Sequence, residues 1–229
     1  MIKDPPLLSI RRRFSRPPPD QVARFRDVPT GHLVDAMGGR GCLPYVIKPL
    51  FQDQPHMVGI ALTCHAGPAD NLAVFGALDA AAAGDVLVAA PDAFTRTAVT
   101  GDLLLGMARN RRVVGFVTDG LVRDLPGLRA VGLPIFCAGV TANSPARNGP
   151  GTVGLPIVIG DVPIRSGDIL VGDGDGVVVV PQDLAAAVLD ALTGIRAAEA
   201  SLEAQVRQGL EVPDFIREVL GSERVEHLT

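Results

Sequence analysis

Three charged residues stand where they could bind an anion and a cation. Asp102 follows Gly101 at the start of an apolar-periodic segment, and Arg123 and Asp124 end the run Thr118-Asp-Gly-Leu-Val-Arg-Asp124. A helix opening at Thr100 or Gly101 and running to about Asn110 leaves the amides of Gly101, Leu103 and Leu104 as first-turn donors without helical carbonyls, a ready site for an anion. Glycine at 101 lets an anion approach the backbone closely. Val113–Thr118 reads as a buried strand with a turn at Asp119-Gly120, and open α/β sheets bind ligands at such carboxyl ends. Arg123 and Asp124 come just past that turn. Adjacent side chains need not pair, so the guanidinium can meet a carboxylate while the aspartate holds a cation. Each residue also has a plain reading. Asp102 suits a helix dipole, Arg123 an ion pair, and Asp124 a surface turn.

The elements that must carry these residues alternate. Asp20–Met37 reads as two short helices broken near Pro29–Gly31, with Thr30 capping the second and Gly38, Gly39 and Gly41 ending it. Tyr45–Leu50 and Met57–Cys64 are strand-like. Asn71–Ala83 is a helix that Asp70-Asn71 can cap, and Asp85–Ala90 is a buried strand. After the site segment come strands at Leu133–Ala138, around Val153–Ile159, at Asp168–Gly172 and at Gly176–Val180. The last two are joined by a tight turn at Asp173–Gly176. Gln182–Arg207 is a long Ala/Leu-rich helix, and Val212–Leu220 a short one. The pattern is an α/β fold with a mixed sheet. Residues 1–19 read as a flexible basic, proline-rich arm, because Arg11, Arg12, Arg13 and Arg16 repel and precede Pro17–Pro19. Residues 20–229 form a single domain.

Composition narrows the chemistry. The chain has 229 residues, 47% hydrophobic and 20% charged, with a net charge of −4. It buries a substantial core and is not built for general nucleic-acid binding. Tyr45 is the one tyrosine and tryptophan is absent, so a stacking surface for bases or sugars is not expected. Lys3 and Lys48 are the only lysines; one falls in the arm and the other precedes Pro49. Imine catalysis, which needs a lysine amine, is disfavoured. No G-x-x-x-x-G-K phosphate loop and no G-x-G-x-x-G nucleotide fingerprint occurs. Cys42, Cys64 and Cys137 are odd in number and widely spaced, as in a reduced interior rather than a disulfide framework or zinc knuckle. No run approaches a membrane span. A soluble cytoplasmic protein is the expectation.

The site segment resembles the RraA-like family, in its 4-hydroxy-4-methyl-2-oxoglutarate / 4-carboxy-4-hydroxy-2-oxoadipate aldolase branch. That branch is marked by an aspartate, twenty intervening residues and then Arg-Asp, and Asp102 and Arg123-Asp124 fit it. The resemblance extends to Leu33–Gly38, Val58–Thr63, Gly84–Val88, Gly132–Phe136, Ser166–Ile169 and Asp173–Pro181, and covers roughly residues 28–210. It implies a β/β/α fold like the swivelling phosphohistidine domain, assembled as a homotrimer or hexamer. It also implies a divalent-metal-dependent pyruvate aldolase acting on a small 2-oxo acid, with oxaloacetate decarboxylation on the side. Asp124 would hold Mg²⁺ or Mn²⁺. Arg123 would bind the keto-acid oxygen or carboxylate, and the amides of Gly101–Leu104 the pyruvyl carboxylate. Asp102 would orient a water that moves the proton. Glu199, on the long helix, is the candidate to approach a neighbouring subunit's site. Arg111-Arg112 departs from the Arg-Gly usual before the strand, a change at a helix end. The alternative is a non-enzymatic regulator that binds an RNA-degrading enzyme, as the family's namesake does.

Overall fold

A computed structural model describes residues 4, 6–53 and 56–228. In chain order the elements are β1 (Leu8–Ile10), α1 (Pro19–Ala23), α2 (Thr30–Ala36), β2 (Lys48–Pro49), β3 (Met57–Ala66), α3 (Leu72–Ala80), β4 (Asp85–Ala90) and β5 (Ala98–Thr100). They continue with α4 (Asp102–Asn110), β6 (Gly115–Thr118), β7 (Leu121–Val122), α5 (Leu125–Val131), β8 (Ile135–Cys137), β9 (Gly139–Val140), β10 (Gly151–Val153), β11 (Ile157–Ile159) and β12 (Val162–Ile164). The chain ends with β13 (Ile169–Asp173), β14 (Gly176–Val180), α6 (Ala185–Arg207) and α7 (Asp214–Leu220).

Strand β3 is the axis. One edge pairs in parallel with β4, from Ile60↔Asp85 to His65↔Ala90. The other edge is shared: its first half pairs antiparallel with β13 and its last residues with β10. β4, β6 and β8 continue in parallel, so the sheet is mixed. Period-two alternation in the last hairpin places β13 and β14 between two cores. Leu170, Val177 and Val179 pack with Val86 and Val117 in one, while Ile169, Val171, Val178 and Val180 pack under α1, α2 and α6 in the other. A third core lies under α3, α4 and α5, around Leu62, Leu87, Leu105 and Phe116. The hairpin turn at Asp173–Gly176 is as the sequence predicts.

Several expectations need correction. Residues 8–19 do not stand off as an arm. β1 pairs in parallel with β10, and Arg16 forks onto both carboxylate oxygens of Asp85, which is fully buried. Arg12 reaches Asp79. Repulsion among the arginines is offset because two of them find carboxylates on the body. Pro19 opens α1, since a first-turn position needs no N–H. The break between α1 and α2 spans residues 24–29, slightly earlier than Pro29–Gly31. Thr30 does not cap α2: Asp173 reaches across from the β13–β14 hairpin and accepts from its N–H and its hydroxyl, both at 2.8 Å. The strand expected over Tyr45–Leu50 shrinks to Lys48–Pro49. Asp70 does cap α3, accepting from the Leu72 N–H at 2.8 Å. Among the described residues no helix is long and apolar enough to cross a membrane.

Candidate active site

A small parallel sheet, β5-β7-β9, lies apart from the main sheet and carries the charged residues. β5 ends at Thr100, and Gly101 and Asp102 follow. β7 ends at Val122, and Arg123 and Asp124 follow. Register Thr100↔Val122 puts the two strand ends side by side, and the Arg123 N–H donates to the Thr100 carbonyl at 3.1 Å. The carboxyl end that matters is therefore that of β5 and β7, not that of β6 directly. Two- and three-residue strands carry too little alternation to be seen in a sequence.

Gly101, Arg123 and Asp124 come together. Arg123 Nε donates to Asp124 Oδ2 at 3.1 Å, and Arg123 Nη1 donates to the Ser144 hydroxyl. The adjacent side chains, which need not have paired, do meet, and Asp124 takes a left-handed backbone, φ 67°, at the start of α5. Aspartate tolerates that region better than most residues. A side chain at position 101 would place Cβ 2.3 Å from Asp124 Oδ2 and 3.2 Å from Arg123 Cγ, so any larger residue here must displace the Asp124 carboxylate.

Asp102 lies one step away. Its Oδ1 accepts from the Leu103 N–H at 2.7 Å, so that amide is not open to an anion. The first intrahelical donor of α4 is the Leu105 N–H, bonded to the Gly101 carbonyl at 3.2 Å. The Gly101 and Leu104 amides precede it. Asp102 Oδ2 rests over Gly127, where a Cβ would come within 2.0 Å. The aspartate thereby lines a groove of about 640 Å³ between α4 and α5, with Leu103, Met107, Arg109 and Gly127. A cavity of about 650 Å³ on another face, lined by Met37, Cys42, Pro163 and Val188, holds none of the candidate residues.

Asp124 fits a hard cation. It is partly exposed, one oxygen is engaged by Arg123, and the other has no hydrogen bond to protein among the described residues. No group of three or more His, Cys, Asp or Glu side chains suited to a metal occurs among those residues. A single carboxylate matches the habit of Mg²⁺, which keeps most of its waters.

Sequence reasoning missed Ser144, which steadies Arg123, and the Gly127 approach. It also missed a cluster at the carboxyl ends of β3, β4 and β6. His65 Nε2 lies 3.0 Å from Asp92, and Asp119 is buried, with one oxygen accepting from the Ala93 N–H at 2.8 Å. Burial pushes the Asp119 carboxyl up to about 6, against the pull of that amide. The residue type was visible, but its depth was not. Glu199 pairs with His32 of its own chain. Burial pushes the Cys64 thiol to about 12 and that of Cys137 to about 11, so neither is a nucleophile.

Residues 30–179 match the RraA-like family model, described as aldolase/RraA. A Halalkalibacterium halodurans protein that carries the name "putative 4-hydroxy-4-methyl-2-oxoglutarate aldolase" is 42% identical over 163 residues, 71% of this chain and 77% of its own. The crystal structure of a Streptomyces coelicolor member of the RNase ES inhibitor RraA family superposes with a TM-score of 0.72 at 27% identity, covering 84% of this chain and 100% of its own. The RNA-processing inhibitor RraA of Thermus thermophilus gives 0.62 at 29% identity, with 68% and 93% covered. With its mixed α/β architecture and a match across most of its length, the chain belongs to the RraA-like family.

Proposed function

We propose that the protein is a divalent-metal-dependent aldolase. It would cleave 4-hydroxy-4-methyl-2-oxoglutarate or 4-carboxy-4-hydroxy-2-oxoadipate to pyruvate and a second 2-oxo acid, with oxaloacetate decarboxylation as a side activity. The observation that carries the reading is the packing of Arg123 and Asp124 against Gly101, at the strand end where α4 begins. The name of the Halalkalibacterium relative supports it.

Cleavage breaks the C3–C4 bond and sends its electrons into the C2 carbonyl. Arg123 presents a fixed positive charge to the oxygen that becomes negative, an arrangement worth most when it is preorganised. Asp124 and Ser144 provide that preorganisation by holding two of its nitrogens. The Gly101 and Leu104 amides at the start of α4 bind the pyruvyl carboxylate. The C4 hydroxyl must lose a proton and C3 must gain one, and Asp102 orients the water that carries it. Mg²⁺ or Mn²⁺ on Asp124 would supply Lewis-acid stabilisation of the same oxygen.

The test supplies Mg²⁺ or Mn²⁺ with each 4-hydroxy acid and with oxaloacetate, and couples pyruvate to lactate dehydrogenase. Metal-dependent pyruvate is the expected result. No pyruvate from any of the three removes the reading. The second reading, a regulator of an RNA-degrading enzyme, is favoured by the superposition on RNA-processing inhibitors. It gains if an RNA-degrading enzyme is retained equally by wild type and Asp124→Ala. We also propose self-assembly to a trimer or hexamer.

A further inference from the structure

The turn after β4 holds two consecutive non-glycine residues in left-handed backbone, Asp92 at φ 56° and Ala93 at φ 53°. Such a conformation persists only when its surroundings impose it. The Phe94 N–H closes the turn on the Pro91 carbonyl at 3.2 Å, and the restraint that reaches it from another element is the Ala93 N–H, which donates to Asp119 Oδ2 at 2.8 Å. Asp119 is 8% exposed, and its other oxygen is buried with no partner among the described residues. A half-satisfied buried carboxylate is costly to keep. Beside it, a Cβ on Gly120 would meet Pro91 Cγ at 2.6 Å and Val99 Cγ1 at 3.2 Å. The turn, β5 and the segment entering β7 are thus pressed together at this point.

The chain leaves that turn into β5, which delivers Gly101 and Asp102. It leaves Asp119 into β7, which delivers Arg123 and Asp124. We propose that Asp119 is a positioning residue for the site: its bond to Ala93 fixes the turn before β5 against the strand start of β7, and so sets the register of Asp102 relative to Arg123 and Asp124. The effect on activity rests on the aldolase reading; the effect on the backbone does not. Asp119 acts through the main chain and touches none of the reacting groups. The charged groups that face it are Asp92, which opposes its ionisation, and His65, which favours it. A neutral carboxyl is a weaker acceptor than a carboxylate. Acid therefore loosens the turn as Asp119 takes up its proton near pH 6.

Asp119→Asn keeps an acceptor without a titrating group, and Asp119→Ala removes both. With metal and substrate, kcat for Asp119→Ala is expected to fall about tenfold or more, with KM changing less. The wild type should lose kcat below pH 6. Asp119→Asn should keep most activity at pH 8 and lack that acid limb. In the protein without substrate, the Ala93 amide resonance should titrate near pH 6 in the wild type and stay still in Asp119→Asn. Wild-type kcat and pH profile in Asp119→Ala would overturn the proposal. So would an acid limb that persists in Asp119→Asn, which would belong to another group, or an Ala93 resonance that does not move. If no variant and no wild-type sample releases pyruvate, the aldolase reading fails, while the Ala93 titration still decides the role of Asp119.

Discussion

Gly101 shows how little space the site allows. Its φ of −146° is ordinary for any residue, so Gly101→Ala should fold. The added Cβ, 2.3 Å from Asp124 Oδ2, must displace that carboxylate and the Arg123 chain beside it. Displacements of about 1 Å at reacting groups cost about 100-fold in rate. Gly101→Ala is therefore expected to lose about 100-fold in pyruvate release while its circular dichroism and urea midpoint stay near wild type. Asp119 makes the opposite case, where stability is given up for position. Its carboxyl rises from 3.8 to about 6 on folding, so between pH 4 and 6 the folded chain holds a proton that the unfolded chain has released. Stability then falls as pH rises through that window and levels off above it. The full shift is worth about 3 kcal/mol. Urea denaturation should show wild type losing about 1–3 kcal/mol relative to Asp119→Asn between pH 4 and pH 8.

At the scale of elements, the segment before α1 is held by the β1–β10 pairing and by the half-buried Arg16 on a fully buried Asp85. Asp85 is 0% exposed and accepts from Arg16 and from the Ala82 N–H at 2.9 Å. Removing one partner of a buried pair leaves the other charge stranded, at about 3–5 kcal/mol. Arg16→Met should lower stability by about 3 kcal/mol, and Arg16→Met with Asp85→Asn should recover part of it, since the stranded charge is gone. Paired urea melts of the two variants check this. The sequence shows four arginines and three prolines here, and nothing in that pattern reveals a carboxylate waiting far along the chain. What could be read were elements with their own periodicity or composition. Asp85–Ala90 is buried throughout and falls where the apolar run places it, and the 102–110 helix begins beside Gly101 as expected. β5, β7, β9 and α5 were invisible because each is short and specified by neighbours rather than by local pattern. The same limit applied to the site. Asp102, Arg123 and Asp124 stand out as candidates through the spacing shared with the family they resemble, whereas Ser144, Gly127 and the depth of Asp119 depend on tertiary contacts.

At the scale of the molecule, the last fifth of the chain is the part least accounted for by its own fold. The family match stops at residue 179, before α6 and α7. α6 buries Ala185, Val188, Leu189 and Leu192 and nothing beyond them, and α7 buries no residue. The His32–Glu199 pair ties the outer part of α6 back to α2. Yet these segments are not polar throughout: Leu202, Val206, Phe215 and Val219 are 40–62% exposed. Where exposed apolar side chains join into one patch, the patch is a candidate for contact with another protein surface. Identical chains can cover such a face by assembling with closed symmetry. If this face joins subunits, Val206→Glu with Phe215→Glu places two carboxylates in the contact and should lower the solution mass in light scattering, with circular dichroism unchanged because neither residue supports the core. A wild-type chain that is monomeric at assay concentration, or a double variant with wild-type mass, would show that the helices serve something other than self-association.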